Sequence, residues 1–494
     1  MRVKQKLLVL GGGTAGWMTA ALLNHHLDKQ LFSVCLVESP DIGIIGVGEG
    51  STPQLRTFFA TLGIDEATWM KACNATFKNG IRFNQWTHGF TKNSYFHPFP
   101  SPTDRQTAGE FILNCHRRQQ GQNAHCDPDS YFLTAQLSDS GKGPLIKPGN
   151  PALPLNYAYH FDSHLLGQFI RDQAVKGGVE YIQGTVSDVE SLNQNRIAAI
   201  QLRDGQRLSA DYFFDCSGFR GLLSQTHLKT PFVSFGENLF NNAAVALPTC
   251  AEKAPLAQTQ ATALQCGWAW HIPLRNRVGN GYVFSQDFCT ADQAETELRR
   301  HLGMLDSDVE ARHLKMKVGR VAETWVGNCV AVGLAQGFIE PLEATALHIV
   351  QDTIEKFVSA FTAGNYSSKH RAQFNQVIND RIDGIRDYIV CHYQVANRED
   401  SEYWRANKNN QIRSASLEQV LNVWRNGGDL TAEINRQNIA QYYPAVSWYC
   451  LLAGYHRFSR PVNIKSEAQP NEAIRAHIAR LVNVFSDHST LISN

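Results

Sequence analysis

The chain begins with short apolar and glycine-rich blocks in a regular order. The run LLVL at residues 7–10 predicts a buried strand, GGGTAG a tight turn, and WMTAALLNHHL a helix with apolar residues at helical spacing. A second apolar stretch, residues 33–37, predicts another strand that ends at Glu38. This order of strand, turn, helix and strand is the unit from which parallel sheets with crossover helices are built.

The same pattern returns further along the chain. Asp162 and Ser163 stand before a stripe of apolar residues, which predicts a capped helix. A third stretch of this kind starts at Cys329 and leads into a helix that begins near Glu343. The strands predicted after the Asp162 helix cover residues 179–182, 197–202 and 212–214.

Two segments differ from this pattern. Residues 88–160 are rich in Pro, Gly, His, Asn and Gln with little periodicity, and they predict long loops over a pocket. Beyond about residue 368 the chain becomes rich in Arg, Asn, Gln, Tyr and Trp. Residues 382–393 and 445–452 predict helices there, so we expect a helical C-terminal part.

Composition narrows the possible partners. The 494 residues include 46 basic and 45 acidic side chains, a formal charge of +1, which favours neither nucleic acid nor an anionic membrane. The 11 cysteines form no CxxC pair and predict no disulfide framework, so a cytoplasmic enzyme is the simplest expectation. No targeting segment is evident, and no His, Cys or carboxylate cluster has metal-ligand spacing, so no metal is predicted.

The first glycine turn predicts a dinucleotide site. Gly11, Gly13 and Gly16 fit the G-x-G-x-x-G pattern, in which glycines allow a tight turn, close approach to a pyrophosphate, and helix packing. The helix that starts at Thr14-Ala15 would direct free N–H groups at the phosphates. Glu38, at the end of the next strand, is placed to accept a ribose hydroxyl.

Two further elements favour FAD over NAD. ADYFFDCSG supplies a second strand that ends in Asp215 and a turn of small residues. NCVAVGLAQGFIEPLEATAL supplies a third strand and a glycine turn at Gly333-Leu334 ahead of a helix. Three such elements over more than 300 residues are typical of two-part FAD folds.

The segment GWAWHIP carries the most specific signal. Trp268, Trp270, Ile272 and Pro273 complete the W-x-W-x-I-P pattern, by which the chain resembles the flavin-dependent halogenases of the tryptophan-halogenase type. The segments that share this resemblance are GGGTAGW, IGVGEGSTP, FDCSGFRGLL, GNCVAVGLAQGFIEPLE and IRDYIVCHY.

The resemblance implies a fold and a reaction. The fold is α/β, with a FAD-binding fold of the flavin monooxygenase type over residues 1–367, substrate-pocket loops at about 76–160, and a helical part over residues 368–494 that completes the substrate site. A separate flavin reductase would supply reduced FAD, which with oxygen and chloride or bromide would yield hypohalous acid inside the protein. The substrate would be a small electron-rich aromatic compound, an indole or a tryptophan-like molecule.

The resemblance also assigns roles to individual residues. Lys78, in FKNGIRF, matches the lysine that holds or covalently carries the electrophilic halogen, and Glu343, in EPLEAT, matches the glutamate near the target carbon. Backbone N–H groups at Thr345 and Ala346 match the halide site. The chain reads Ala344-Thr345-Ala346 where Ser-Thr-Gly is common in the family, so the halide preference stays open.

The remaining candidates surround the two pockets. IGVGEGSTP resembles the strap that links the flavin and substrate pockets, and its glycines 43, 46, 48 and 50 would allow movement; Gly48 is assigned to the cofactor. His97 and Phe99, in YFHPF, and Trp448, in SWYCLLAG, match residues that line the aromatic substrate.

Two other functions fit part of the same evidence. A flavin monooxygenase that hydroxylates an aromatic substrate would need the FAD elements alone, although Trp268 and Trp270 would fill the space beside the flavin. A flavin-binding redox sensor without halogenase activity is the second alternative, supported only by the altered residues after Glu343. The exact substrate, the position halogenated and the oligomeric state, a homodimer included, stay open.

Overall fold

A computed structural model describes residues 4–41, 48–90, 92–460 and 468–493. The chain forms two compact units, each built from three separate segments. Unit 1 contains residues 1–74, 161–236 and 316–383, and unit 2 contains residues 75–160, 237–315 and 384–494.

A six-stranded sheet lies at the centre of unit 1. Its strands follow the order Trp325–Val326, Cys329–Ala331, Tyr212–Asp215, Gln5–Leu10, Phe32–Glu38 and Glu180–Gln183. All neighbours are parallel except the hairpin at Trp325–Val326, so the strands that end at Leu10, Glu38, Asp215 and Ala331 finish at one edge. The strands predicted from apolar runs are confirmed, and Leu7, Leu8 and Val9 are fully buried.

The helices of unit 1 begin where the sequence contains a glycine turn or a cap. Thr14–His26 follows the first glycine turn, and Ser163–Lys176 is capped by Asp162, whose carboxylate accepts from the N–H groups of His164 and Leu165. Ala346–Ala363 buries Val350, Ile354, Phe357 and Phe361 at helical spacing. The other helical segments are Gln54–Thr61, Glu66–Ala72, Gly218–Arg220, Leu222–His227, Gly333–Ala335, Pro341–Glu343 and Ser368–His370.

The remaining strands of unit 1 form small antiparallel sheets. One contains Val186–Asn193, Arg196–Leu202 and Arg207–Ser209, and another contains Phe232–Ser234, Gly319–Val321 and Gly337–Phe338. A short strand, Gly48–Gly50, belongs to the same unit.

Unit 2 contains a mainly antiparallel sheet of seven strands. The order is Arg312–Lys315, Ala243–Cys250, Arg277–Phe284, Gly267–Pro273, Thr259–Leu264, Gly80–Asn84 and Ser94–Pro98, and only Thr259–Leu264 and Gly80–Asn84 pair in parallel. Three shorter strands lie outside this sheet. Thr76–Lys78 pairs antiparallel with Ala158–His160, and Lys142–Ile146 pairs antiparallel with Phe485–Asp487. The strand Ala158–Asp162 and the helix Arg371–Val395 span positions at which the two units divide.

The prediction of loops over residues 88–160 is wrong in detail. This segment contains the strands Ser94–Pro98 and Lys142–Ile146 and the helices Arg105–Gln119 and Leu133–Asp139. Arg105–Gln119 buries Thr107, Asn114 and Gln119 beside Phe111 and Cys115, so no apolar stripe marks it in the sequence. Two short helices, Pro102–Asp104 and Pro128–Ser130, complete the segment.

The predicted domain boundary between residues 367 and 368 does not coincide with a boundary between the two units. The C-terminal part is helical as predicted, apart from its one strand among the described residues. It belongs with the segments 75–160 and 237–315 in unit 2, whereas residues 368–383 belong to unit 1. Contacts between distant segments create this arrangement, and local periodicity does not report them. The helices of this part that lie within unit 2 are Glu402–Asn409, Ala415–Arg425, Leu430–Arg436, Ala445–Gly454, Glu472–Val482 and His488–Ser493, and Ala291–Leu302 lies earlier in the chain.

The packing of the unit 2 sheet leaves no space for a side chain at Gly281, and this can be tested. A Cβ at this position would lie 2.0 Å from the indole of Trp270, so the ring rests directly on the glycine. We predict that Gly281→Ala lowers the free energy of unfolding by about 1–3 kcal/mol, because the indole must move out of a packed position. Chemical denaturation followed by tryptophan fluorescence measures this change.

Gly109→Ala provides the matched control for Gly281→Ala. Gly109 lies inside Arg105–Gln119, and a Cβ there meets no atom within 4 Å. The same substitution should therefore raise stability by about 0.5–1 kcal/mol. Equal stability of the two variants would contradict the packing described for Trp270.

Candidate functional site

The first glycine turn packs against backbone atoms on one side, and its other side is open. Gly11 has a φ of +118°, and a Cβ there would lie 2.2 Å from the carbonyl oxygen of Cys216. A Cβ at Gly16 would lie 1.9 Å from the carbonyl oxygen of Gly11. A Cβ at Gly13 would meet no atom within 4 Å. On this open side no described residue lies within 4 Å of such a Cβ, and it belongs to the carboxyl edge of the sheet, where nucleotides bind in folds of this kind.

The helix behind this turn has free donors for phosphate. Thr14–His26 starts without a side-chain cap and carries no acidic residue in its first turn. The N–H groups of Thr14, Ala15 and Gly16 therefore have no partner inside the helix. The hydroxyl of Thr14 donates to the carbonyl of Ser163 at 3.0 Å, which fixes the start of the helix. Such a helix start favours an anion, and the pyrophosphate of FAD fits it.

Glu38 lies beside the same turn. A Cβ at Gly12 would lie 2.1 Å from the carboxyl carbon of Glu38, so the two residues are in direct contact. One carboxylate oxygen accepts from the hydroxyl of Tyr181 at 2.7 Å. Burial and this hydrogen bond together raise the pKa of Tyr181. The carboxylate keeps acceptor capacity for a ribose hydroxyl, as the sequence predicts.

The third glycine turn packs against the first one. Gly333 has a φ of +65°, and a Cβ there would lie 2.8 Å from the Cβ of Ala15. Leu334 follows in the short helix Gly333–Ala335 and is half-buried. The structure therefore brings these predicted cofactor residues together. Gly48 is buried at the start of its strand, whereas Gly43 and Gly46 of the predicted strap lie outside the described residues.

Asp215 holds the turn that follows its own strand. One carboxylate oxygen accepts from the N–H and hydroxyl of Ser217, and the other accepts from Leu223 and from the N–H and hydroxyl of Ser224. The side chain is fully buried. These five donors occupy the carboxylate, so the geometry assigns Asp215 a structural part and gives no support to direct contact with FAD.

A reversal of the backbone separates Glu343 from the long helix after it. Glu343 ends the short helix Pro341–Glu343 and is 6% exposed, and Ala344 then adopts a left-handed conformation with a φ of +55°. Ala346–Ala363 follows without a side-chain cap and without an acidic residue in its first turn. Thr345 is buried and Ala346 is exposed. The N–H groups at this helix start are suited to a halide ion.

Lys78 lies in the interior of unit 2. It ends the strand Thr76–Lys78, pairs with Ala158, and has no solvent-exposed surface. Its amine is 5.6 Å from the centre of the Phe99 ring. Lysines are seldom buried in this way, because a desolvated ammonium is costly. Lys78 is therefore not a solvated surface lysine.

The strand Gly267–Pro273 carries the W-x-W-x-I-P pattern. Trp268, Trp270 and Ile272 are buried on one face, and the two indole rings are 6.4 Å apart. The indole N–H of Trp270 has no acceptor among the described residues. The carbonyl of Pro273 accepts from the hydroxyl of Thr76 at 2.6 Å, so this strand and the strand of Lys78 are joined directly.

An aromatic cluster brings two of the predicted substrate residues together. The Tyr388 hydroxyl is 3.4 Å from Nε2 of His97, and the Tyr388 ring is 4.8 Å from that of Trp448. Tyr443 stacks on Tyr388 with ring centres 3.6 Å apart and an angle of 6°. The indole N–H of Trp448 has no acceptor among the residues described. Tyr388 and Tyr443 were not predicted from the sequence, although Tyr388 lies in IRDYIVCHY, one of the segments that resemble the family.

The cluster is closely packed. The cavity beside Tyr443 and Trp448 has a volume of about 10 Å³, and its other lining residues are Gly384, Asp387, Ser416, Leu417, Ile439 and Tyr442. An aromatic ring needs a cavity on the order of 150 Å³, so a ring that binds here must displace side chains.

Two features are absent from the described ranges of the chain. No three His, Cys, Asp or Glu side chains in them come together as a metal ion requires. No helix in them is long and apolar enough to cross a membrane.

The glycine turn leads to a prediction about cofactor binding. We predict that Gly13→Ala lowers FAD affinity at least about tenfold while thermal stability stays unchanged, because the added methyl group meets no protein atom but occupies the approach of the pyrophosphate. Gly11→Ala should instead destabilise the fold. Fluorescence titration of FAD and thermal melting separate the two effects, and normal FAD affinity in folded Gly13→Ala protein would be the opposing result.

A buried histidine leads to a prediction about pH. His392 is fully buried and lies 2.9 Å from the Tyr455 hydroxyl, and burial lowers the pKa of His392 to about 3. Because the unfolded chain binds the proton near pH 6.5, stability should fall as pH drops from 6.5 toward 3, by about 1.4 kcal/mol per pH unit. His392→Gln should reduce the measured slope by this amount in denaturation at several pH values, whereas the surface variant His164→Gln should leave it unchanged. An unaltered slope in His392→Gln would show that His392 does not contribute.

Comparisons with known proteins show the family and the fold of this chain. The family model described as tryptophan halogenase matches residues 6–471. The chain is 36% identical over 474 residues to the 7-chloro-L-tryptophan 6-halogenase KtzR of Kutzneria sp. (strain 744). This match covers 91% of this chain and 90% of the relative.

Solved structures share the whole fold. The crystal structure of the tryptophan 6-halogenase SttH from Streptomyces toxytricini has a TM-score of 0.85 and 32% identity, and the match covers 99% of this chain and 100% of that one. BrvH, a flavin-dependent halogenase from Brevundimonas sp. BAL3, has a TM-score of 0.83 and 30% identity, with 99% of both chains covered. The predicted α/β fold class and the resemblance to flavin-dependent halogenases are confirmed. The chain belongs to the tryptophan halogenase family of flavin-dependent enzymes.

Proposed function

We propose that this halogenase uses reduced FAD, oxygen and chloride or bromide to halogenate an electron-rich aromatic compound of the indole class. The observation that carries the proposal is the complete burial of Lys78 on a strand bonded to the W-x-W-x-I-P strand. Relatives named for halogenation of tryptophan and of 7-chloro-L-tryptophan support a substrate with an indole ring.

The glycine turns of unit 1 would hold the cofactor. The first turn of Thr14–His26 would bind the pyrophosphate, and Glu38 would accept a ribose hydroxyl. Reduced FAD, when bound, supplies with oxygen the oxidising power that converts a halide ion into hypohalous acid. The sequence has one G-x-G-x-x-G motif, at Gly11 to Gly16, and FAD would use it. A separate flavin reductase is the proposed source of reduced FAD, because the chain belongs to the flavin-dependent halogenases.

The start of Ala346–Ala363 would hold the halide. Its free N–H groups at Thr345 and Ala346 are backbone donors, so they survive the change from the residues common in the family. No acidic side chain in the first helical turn would repel an anion. The methyl group of Ala346 narrows this position compared with glycine, and competition between chloride and bromide would report its effect.

Lys78 would hold the electrophilic halogen. Hypohalous acid is small and reactive, and a desolvated amine can hold it by a hydrogen bond or take its halogen. The surrounding apolar groups exclude water, which limits escape and side reactions. Trp268 and Trp270 are buried on the strand bonded to that of Lys78, and we propose that their rings keep a large substrate away from this strand.

Glu343 and the aromatic cluster would act on the substrate. We propose that the Glu343 carboxylate stabilises the cationic ring intermediate and accepts the proton that leaves it. His97, Phe99 and Trp448 would contact the ring, together with Tyr388. Flat aromatic side chains of this kind bind an indole by stacking and edge contacts.

Substitution of Lys78 tests this function. We predict that Lys78→Ala and Lys78→Met lower the rate of halogenation by about 100-fold or more, because the halogen carrier is lost, while FAD binding and NADH-driven oxygen consumption continue. Lys78→Met keeps the side-chain volume, so a loss in that variant cannot come from a cavity.

Lys71 provides the control for this experiment. It lies exposed in the last turn of Glu66–Ala72, and Lys71→Ala should leave every rate unchanged. Undiminished halogenation by folded, FAD-binding Lys78→Met protein would exclude the proposed carrier.

A further inference from the structure

The strand that carries Lys78 is short and has an unusual outer edge. It contains three residues, Thr76–Lys78, and one edge pairs with Ala158–His160. On the backbone of Phe77, the N–H group donates to Nε2 of His488 at 3.2 Å. A side chain from the C-terminal helix His488–Ser493 thus satisfies a backbone donor that a neighbouring strand would otherwise satisfy.

The hydrogen bonds of His488 define its protonation state. Its Nδ1 lies 2.7 Å from the carbonyl oxygen of Pro255, which can only accept, so Nδ1 carries the hydrogen. Its Nε2 accepts from Phe77 and therefore carries none. The ring is fully buried, and burial lowers the pKa of His488 to about 4. The imidazole is neutral at physiological pH and serves as donor and acceptor at once.

The position of the His488 ring is itself constrained. The backbone N–H of His488 donates to the carbonyl of Gly141 at 2.9 Å. The residues on either side of the short strand are bonded as well, because Arg275 donates to the carbonyl of Ala75 at 3.0 Å and Asn79 donates to that of Ala257 at 2.7 Å. A strand of three residues is thereby held at each end and at its centre.

A second histidine supports the opposite edge. The Thr76 hydroxyl donates to Pro273, so it must accept from Nδ1 of His160, 3.1 Å away. Nε2 of His160 then accepts from the Thr259 hydroxyl at 2.9 Å. Burial, and after it the nearby charge of Lys78, lower the pKa of His160.

We propose that His488 is a positioning residue for Lys78. By accepting from Phe77 it fixes the strand from its outer edge, so that the Lys78 amine meets hypohalous acid in one place and retains it. The proposal rests on the halogen-carrying role of Lys78 given under Proposed function. His488 itself touches neither the cofactor nor the substrate in this account.

Two variants separate the two hydrogen bonds of His488. The amide nitrogen of asparagine occupies nearly the position of Nδ1, so His488→Asn keeps the bond to Pro255 and loses the bond to Phe77. Glutamine places its amide group near Nε2, so the oxygen in His488→Gln can accept from Phe77. A defect in the asparagine variant that the glutamine variant repairs therefore reports the bond to the lysine strand.

The first measurement is the fate of the halogen. Enzyme, flavin reductase, FAD, NADH, bromide and indole are incubated with and without a dimedone-type trap for free hypobromous acid. In the presence of the trap, which removes hypobromous acid before it can brominate indole in solution, we expect His488→Asn to yield about tenfold less bromoindole per NADH. It should also release more trapped hypobromous acid and leave the KM for indole unchanged. His488→Gln should recover most of the yield. A yield equal to that of the wild-type enzyme would overturn the proposal.

A double variant distinguishes positioning from general stability. In the Lys78→Ala background, His488→Asn should change neither the trapped hypobromous acid nor the residual bromoindole, because His488 acts through Lys78. A further loss in the double variant would overturn the proposal. His477→Ala is the control, since His477 lies at the surface beside Arg480 and should change nothing.

Amide hydrogen exchange tests the anchor without any reaction. The Phe77 amide should exchange at least tenfold faster in His488→Asn than in wild-type protein, and about normally in His488→Gln and Lys78→Met. If the wild-type enzyme forms no halogenated product although this pattern holds, the proposed function fails and the anchor stands. Equal protection of Phe77 in His488→Asn removes the anchor whatever the activity.

Discussion

Unit 2 is organised around Lys78, a lysine whose side chain has no contact with solvent. Removing an ammonium or amine from water is costly, so the surrounding structure must supply fixed neighbours. The structure does this through the backbone, since the strand of Lys78 is bonded to Ala158–His160, to Pro273 by way of Thr76, and to His488. A reactive group on a backbone that hydrogen bonds hold in one position is suited to capturing a small diffusing oxidant.

Unit 1 forms an anion-binding surface from the turns at the ends of its parallel strands. Parallel strands end at one edge, and the turn after Leu10 leads into the helix Thr14–His26, whose first N–H groups have no partners inside the helix. Gly333 packs on Ala15, so the turns support each other. An anion-binding surface therefore follows from sheet topology, with glycine required only where another backbone or side chain comes too close.

The sequence predicted the features that local patterns encode. Apolar runs identified the strands around Leu7–Leu10 and Tyr212–Asp215, and the motifs located Lys78 and Trp268. Local patterns did not identify Arg105–Gln119, because much of its buried face is polar, or the division into units, because it depends on contacts between distant segments. His488 was missed for the same reason: a single histidine carries no signal until the fold brings it to Phe77.

The identity of the atom added to the substrate tests the central claim most directly. The wild-type enzyme is incubated with flavin reductase, FAD, NADH, bromide and oxygen over a panel of indoles, phenols and tryptophan, and products are analysed by mass spectrometry. The account predicts a product with the isotope doublet of bromine in place of one ring hydrogen. A product that contains an added oxygen atom and no bromine would contradict it.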